Sequence, residues 1–239
     1  VFLIGLYDDK HNLKAEIKLF FVGILLFVVL NLDKSLIVQN LYFSSLEKSI
    51  NLGNFAIPFT ILCFLLFMNA LNMFDGINLQ VGTYLLMILI FIFFKDSFQI
   101  LSLIIFFPLV VFLFLNFSDR SFLGDNGSLL IAYLVSYLII KTYNNEYSTF
   151  SIEEIFILMM LPGMDMFRLF IERIYNKKNP FKPDSKHIHH FLLKKYNSKK
   201  VFLIIQLIIL LPVLMSVVFN EIYGLTLGLF FYGFFLKLY

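Results

Sequence analysis

The chain has 239 residues, 60% of them apolar and only 15% charged, with 32 Phe and no Trp, and its mean hydropathy is +0.86. Soluble domains sit at roughly 45–50% apolar and about 25% charged, so this composition excludes a water-soluble globular protein. The net charge of +3 says little by itself, and its distribution along the chain says more.

The chain opens with Val1 inside an apolar stretch that ends at Tyr7, without a basic n-region or a cleavage site. It reads as the end of an earlier span, so the chain is expected to be a fragment lacking its N-terminal section. A bilayer-crossing helix takes roughly 20 mostly apolar residues. Apolar runs predict eight such helices, at 17–32, 56–72, 80–94, 98–116, 128–143, 152–170, 200–219 and 222–238. Residues 33–54 read as an amphipathic connection lying along the membrane surface. Lys95, Asp96 and Ser97 are expected to make a tight hairpin between two spans. Cys63 is the single cysteine and lies in an apolar run, so no disulfide is available. The predicted fold is all-α: a polytopic integral membrane helical bundle forming one membrane-embedded domain over 1–239, with 171–199 as a basic, histidine-bearing loop.

Counting crossings assigns each loop to a side. One side receives 8–16, 73–79, 117–127, 171–199 and the C-terminal end, and with the adjoining helix ends it carries 15 of the 19 Lys and Arg. Lys34, Lys48, Lys95 and Lys141 fall on the other. Lys and Arg accumulate in cytoplasmic loops, so the first side is expected to face the cytoplasm.

Four polar clusters mark the edges of apolar runs, all on that side. Polar groups at membrane depth are costly unless paired or functional. Asp8 and Asp9 are adjacent, and a divalent metal or a lysine would offset their repulsion; a solvated acid pair before Lys10 is the plain alternative. Asn69, Asn72 and Asp75 recur every three residues on one helical stripe, which suits either a ligand or an interhelical hydrogen-bond seam. Gly124-Asp125-Asn126-Gly127-Ser128 precedes an apolar run, where glycine permits close backbone approach and amides can face an anion. There Asp125 is a candidate ligand or only a helix cap. The fourth cluster, His187-x-His189-His190, follows Lys182, Asp184 and Lys186 in the most basic loop. No second run of Cys or His exists to complete a metal site. The imidazoles therefore read as phosphate-facing donors, with a basic loop on anionic lipid headgroups as the alternative.

Acids for a divalent cation and bases for phosphates point to phosphoryl chemistry. The lipid-embedded setting makes a lipid phosphate an expected substrate. Asp165, Arg168 and Glu172, spaced three and four apart, predict an ion-pair ladder.

These motifs, in this order, resemble the polyprenyl-phosphate N-acetylhexosamine-1-phosphate transferases (glycosyltransferase family 4), in particular the bacterial undecaprenyl-phosphate N-acetylglucosamine-1-phosphate branch. The resemblance rests on Gly5-Leu6-Tyr7-Asp8-Asp9, Asn69 to Gly76, Phe122 to Ser128, and Pro180 to Asp184 followed by the histidine box. It implies transfer of N-acetylhexosamine-1-phosphate from a UDP-sugar to undecaprenyl phosphate, with release of UMP, at the cytoplasmic face of the bacterial inner membrane. It also implies Mg2+, with Mn2+ as a substitute. Asp125 would be the leading metal ligand, and Asp8 and Asp9 would orient or deprotonate the lipid phosphate. Asn72 and Asp75 would line the metal and nucleotide pocket, with Asp75 sharing the metal. Asn69, Lys182, Asp184 and Lys186 would bind substrate, and His187, His189 and His190 would meet the diphosphate. Membrane lipids are expected partners, a homodimer is one option, and nucleic acid is not implied.

Two departures stand out. The family usually continues its second motif as Asp-Gly-x-Asp-Gly, whereas this chain reads Asp75-Gly76-Ile77-Asn78-Leu79. About three spans precede the acid pair in the family, and only the end of the third is present. A non-catalytic relative or membrane scaffold is therefore a second reading. A transporter is a third, and it predicts broken helices at the bilayer midplane rather than clusters at one face.

Overall fold

A computed structural model describes residues 1–11, 13–95, 99–145, 148–180 and 186–237. Asp96 and Ser97 of the expected tight hairpin lie outside the described residues. All eight predicted segments are helical, in an order that begins with α1 (Phe2–His11) and α2 (Ala15–Leu32). There follow α3 (Ala56–Phe74), α4 (Gln80–Lys95), α5 (Gln99–Phe117), α6 (Gly124–Tyr143) and α7 (Ile152–Tyr175). A short α8 (Ile188–Lys195) precedes α9 (Ser198–Val218) and α10 (Glu221–Lys237). Among the described residues the fold is all-α apart from one hairpin. In lipid a helix satisfies its own backbone groups, which is why apolar runs of this length adopt no other form.

Four segments are long and apolar enough to cross a membrane: Ala15–Leu32, Gly53–Phe74, Ile100–Phe117 and Ser198–Val218, with Gln80–Lys95 a shorter apolar helix. Four of the eight expected spans meet that standard by length and composition. The first turn of α6 carries Asp125 and Asn126, and α7 carries Glu153, Glu154, Asp165 and Arg168. Those polar groups serve contacts at the two ends of the bundle.

α3 packs against α2, α6 and α7, and α6 also meets α1 and α4. Phe64, Leu71, Tyr84, Leu85, Ile88 and Leu138 are fully enclosed there, while Phe20, Phe94, Phe107 and Phe114 remain on the outer surface. An apolar outside is the expected consequence of a lipid solvent. Tyr84 satisfies its buried hydroxyl by donating to Leu158 O at 2.7 Å.

The segment 33–54, expected as an amphipathic connection, has regular structure of its own. It forms an antiparallel hairpin of β1 (Asn40–Phe43) and β2 (Lys48–Asn51), in the register Asn40 with Asn51 and Phe43 with Lys48. Distant residues hold it. Tyr143 Oη accepts from Tyr42 N–H at 2.7 Å and donates to Asn40 O at 2.8 Å. The Glu153 carboxylate accepts from the backbone N–H groups of Ser44 and Ser45, each at 3.1 Å. Ser151 and Glu154 form a reciprocal capping box that starts α7 beside the hairpin.

Candidate active site

Opposite the hairpin, the ends of α1, α2, α3 and α6 converge on one polar cluster. Asp8 is 4% exposed, and its Oδ1 accepts from Leu13 N–H at 2.8 Å. Its Oδ2 accepts from Lys18 Nζ at 2.7 Å, and the same ammonium lies 3.2 Å from Asp125 Oδ2. Lys18 occupies one stripe of α2 with Val22, Leu26 and Leu30, all buried. A lysine on an otherwise apolar buried stripe requires acid partners, and this is the signal by which the sequence could have assigned it a site role.

Asp125 lies in the first turn of α6, which starts four residues before the predicted span, and the N-cap is Leu123. Its other oxygen accepts from Asn72 Nδ2 at 2.9 Å, and the same amide donates to Ser128 Oγ at 2.9 Å. Asp9 Oδ2 accepts from Asn126 N–H at 3.3 Å. The close approach of α1 to α6 depends on Gly5, where a Cβ would lie 2.6 Å from Asn126 Cα. The acid pair, the third cluster and Asn72 therefore form one connected group.

Asp75 ends α3 as its C-cap. Packed protein around the turn, with the Asp125 charge second, pushes its carboxyl up to about 6. Asn69 takes part in an interhelical seam: it faces Met73 and Met166 sulfurs at 3.5 and 3.4 Å, the latter on α7. The 75–79 turn is tied to the loop after α5. Asn78 Nδ2 donates to Asp119 Oδ1 at 2.5 Å, Leu79 N–H to Asn116 Oδ1 at 2.6 Å, and Asn116 Nδ2 to Ser121 O at 2.8 Å. Leu79 has φ +69°, so the left-handed backbone that glycine adopts freely is kept here by a leucine, at a cost of about 1–2 kcal/mol. Between turn and loop lies a pocket of about 70 Å³, bordered by Asp75, Asn78, Asn116, Phe122 and Leu123.

The histidine box reaches the same place. His189 is 2% exposed, and its Nε2 would lie 2.1 Å from a Cβ built on Gly76. Burial, reinforced by the neighbouring imidazoles, lowers its pKa to about 3, so the ring is neutral at physiological pH. His190 lies against it, with ring centroids 4.2 Å apart. His187 Nδ1 is 2.9 Å from Asp165 Oδ2. The Asp165–Arg168–Glu172 ladder is present at 2.8 and 3.5 Å. Lys186 pairs with Glu172 and its carbonyl accepts from Arg168 at 2.6 Å. Lys182 and Asp184 lie outside the described residues.

Among the described residues no three His, Cys, Asp or Glu side chains form a metal cage. The donor set still suits a hard cation. Asp75 and Asp125 interact electrostatically, and Mg2+ commonly takes one or two carboxylates while keeping waters and substrate phosphates.

An all-α bundle with a lipid-facing exterior and a single-ended cluster of acids, amides and imidazoles defines a polytopic membrane protein with a polar site. Residues 1–143 match glycosyl transferase family 4, and the chain belongs to that family. It is 30% identical over 201 residues to the probable undecaprenyl-phosphate N-acetylglucosaminyl 1-phosphate transferase of Bacillus subtilis, covering 81% of this chain and 55% of that protein. It is 26% and 27% identical to the undecaprenyl-phosphate alpha-N-acetylglucosaminyl 1-phosphate transferases of Salmonella typhi and Escherichia coli K12, covering 85% of this chain and 59% of each. The chain thus spans little more than half the length of these relatives.

Proposed function

We propose that the protein transfers N-acetylglucosamine-1-phosphate, or a related N-acetylhexosamine-1-phosphate, from a UDP-sugar to undecaprenyl phosphate. The observation that supports this most is the contact chain Asp8–Lys18–Asp125–Asn72, which joins three motifs at one end of the bundle. The lysine bias of that end favours the cytoplasmic face of a bacterial inner membrane. On this reading the eight long helices all cross.

Asp125 and Asp75 would hold Mg2+. When bound, the ion neutralises phosphate charge. Asp8 and Asp9 orient the lipid phosphate and accept its proton, while Lys18 holds the Asp8 carboxylate in place. A lipid phosphate oxygen then attacks the sugar-bearing phosphorus; the bond from that phosphorus to the bridging oxygen breaks, and UMP leaves. Direct attack is favoured because two phosphates held together already supply the positioning. The His187–His190 segment lies against the nucleotide diphosphate, and the pocket beside Asp75 admits part of the nucleotide sugar.

Incubation of membranes containing the protein with UDP-N-acetylglucosamine, undecaprenyl phosphate and Mg2+ tests this by release of UMP. The expected result is UMP release that Asp125→Asn abolishes at normal expression. No UMP with any UDP-N-acetylhexosamine would favour the scaffold reading, which the Asn78 and Leu79 departures support.

A further inference from the structure

Asp165, on α7, is 2% exposed, and the transfer scheme leaves it without a task. A buried carboxylate is costly unless its oxygens are matched, and here both are used. Oδ1 accepts from Arg168 at 2.8 Å. Oδ2 faces His187 Nδ1 at 2.9 Å and accepts from Ile188 N–H at 3.3 Å. Arg168 also donates to Lys186 O at 2.6 Å. Three consecutive residues, 186–188, are thereby fastened to one turn of α7. His187 is the N-cap of α8 but contributes no side-chain cap bond, so its imidazole is committed to the acid. Its ring lies parallel to that of His189, 2° apart in plane and 5.6 Å between centroids, and His189 is the ring pressed on Gly76.

We propose that Asp165 is a positioning residue that fixes the tautomer and orientation of His187, and through it the paired imidazoles beside Asp75. An ionised carboxylate only accepts hydrogen bonds. Nδ1 of His187 therefore carries the hydrogen, and Nε2, on the far side of the ring from α7, is the atom left for a ligand. The partner on one imidazole nitrogen decides the state of the other. Taking the ligand as the diphosphate of a nucleotide sugar rests on the proposed transfer; the assignment of the tautomer does not.

The test uses the protein in lipid nanodiscs with 15N-labelled histidine. The His187 resonances, assigned by their loss in His187→Gln, are expected to report hydrogen on Nδ1 and to shift toward Nε2 in Asp165→Asn. Transfer is expected to fall roughly ten- to a hundredfold in Asp165→Asn, the usual scale for a partner that orients a functional imidazole, and Asp165→Glu recovers most of it. In a His187→Gln background Asp165→Asn is expected to add little further loss. An Nε2-protonated ring in the unaltered protein overturns the proposal. So does an equal loss from Asp165→Asn with and without His187, which would make the acid an anchor for α8 alone. If no UDP-sugar supports transfer, the functional reading fails while the nitrogen spectrum still decides the role of Asp165.

Discussion

Gly76 and His189 occupy space that no other residue at position 76 could share: an added Cβ would meet all three of Nε2, Cδ2 and Cε1 of the ring within 2.6 Å. Gly76→Ala is therefore expected to destabilise the protein by about 1–3 kcal/mol, the usual cost of overpacking, and to reduce transfer sharply. Gly163, in α7, has nothing within 4 Å of a Cβ, so Gly163→Ala is expected to be neutral or stabilising by up to about 1 kcal/mol. Thermal unfolding in detergent compares the two; equal effects would remove the close contact from the account.

Lys18 is the cation between two acids, so Lys18→Met leaves Asp8 buried without its partner. The expected loss is on the order of 3 kcal/mol, measured as a lowered unfolding midpoint, with transfer lost as well. Exposed Lys199 supplies the control, since Lys199→Met is expected to change stability by no more than about 0.5 kcal/mol.

Because Asp75 is held near 6, the folded site binds its proton more tightly than the unfolded chain does. Its contribution to stability is present at low pH and declines as pH rises from the ordinary carboxylate value toward about 6. Asp75→Asn is therefore expected to be at least as stable as the parent at pH 7 without metal. If Mg2+ binds this carboxylate, a proton competes with it, and the Mg2+ concentration for half-maximal transfer should rise as pH falls from 7.5 to 5.5. An unchanged Mg2+ requirement over that range would take Asp75 out of the metal site.

Asn78 and Asp119 form a donor–acceptor pair across two loops. Asn78→Asp places two carboxylates together and is expected to weaken transfer, and the added change Asp119→Asn restores a donor and should recover it. A double variant no better than Asn78→Asp would show that the pair does not set the turn. Leu79→Gly is expected to relieve about 1 kcal/mol of backbone cost while opening one wall of the pocket.

The long helices were legible because lipid demands apolar runs of a given length, and their ends mostly fall within a few residues of the predicted ones. The start of α6 was not, because Asp125 and Asn126 look like loop residues until Lys18, Asn72 and Asp9 are in place to receive them. The hairpin at 40–51 was hidden for a similar reason. Its strands are four residues each, too short for alternation to show, and Tyr143 and Glu153 hold it from about a hundred residues away. Asn69 and Asn72 share a stripe in sequence yet turn to different neighbours, α7 and α6. Periodicity states which face a residue occupies and leaves open what is opposite.

Helix α7 is anchored twice. Glu153 seats the hairpin at its first turn, while Asp165 and Arg168 grip the residues leading into α8 more than two turns later. Its 24 residues make a rod of about 36 Å, and Pro162 falls between the two anchorages, where a missing N–H removes one rung of the ladder. The softest joint of the rod thus separates the outer seat from the inner grip. Bending there would swing Asp165 and the imidazoles as a single unit and leave the hairpin at rest.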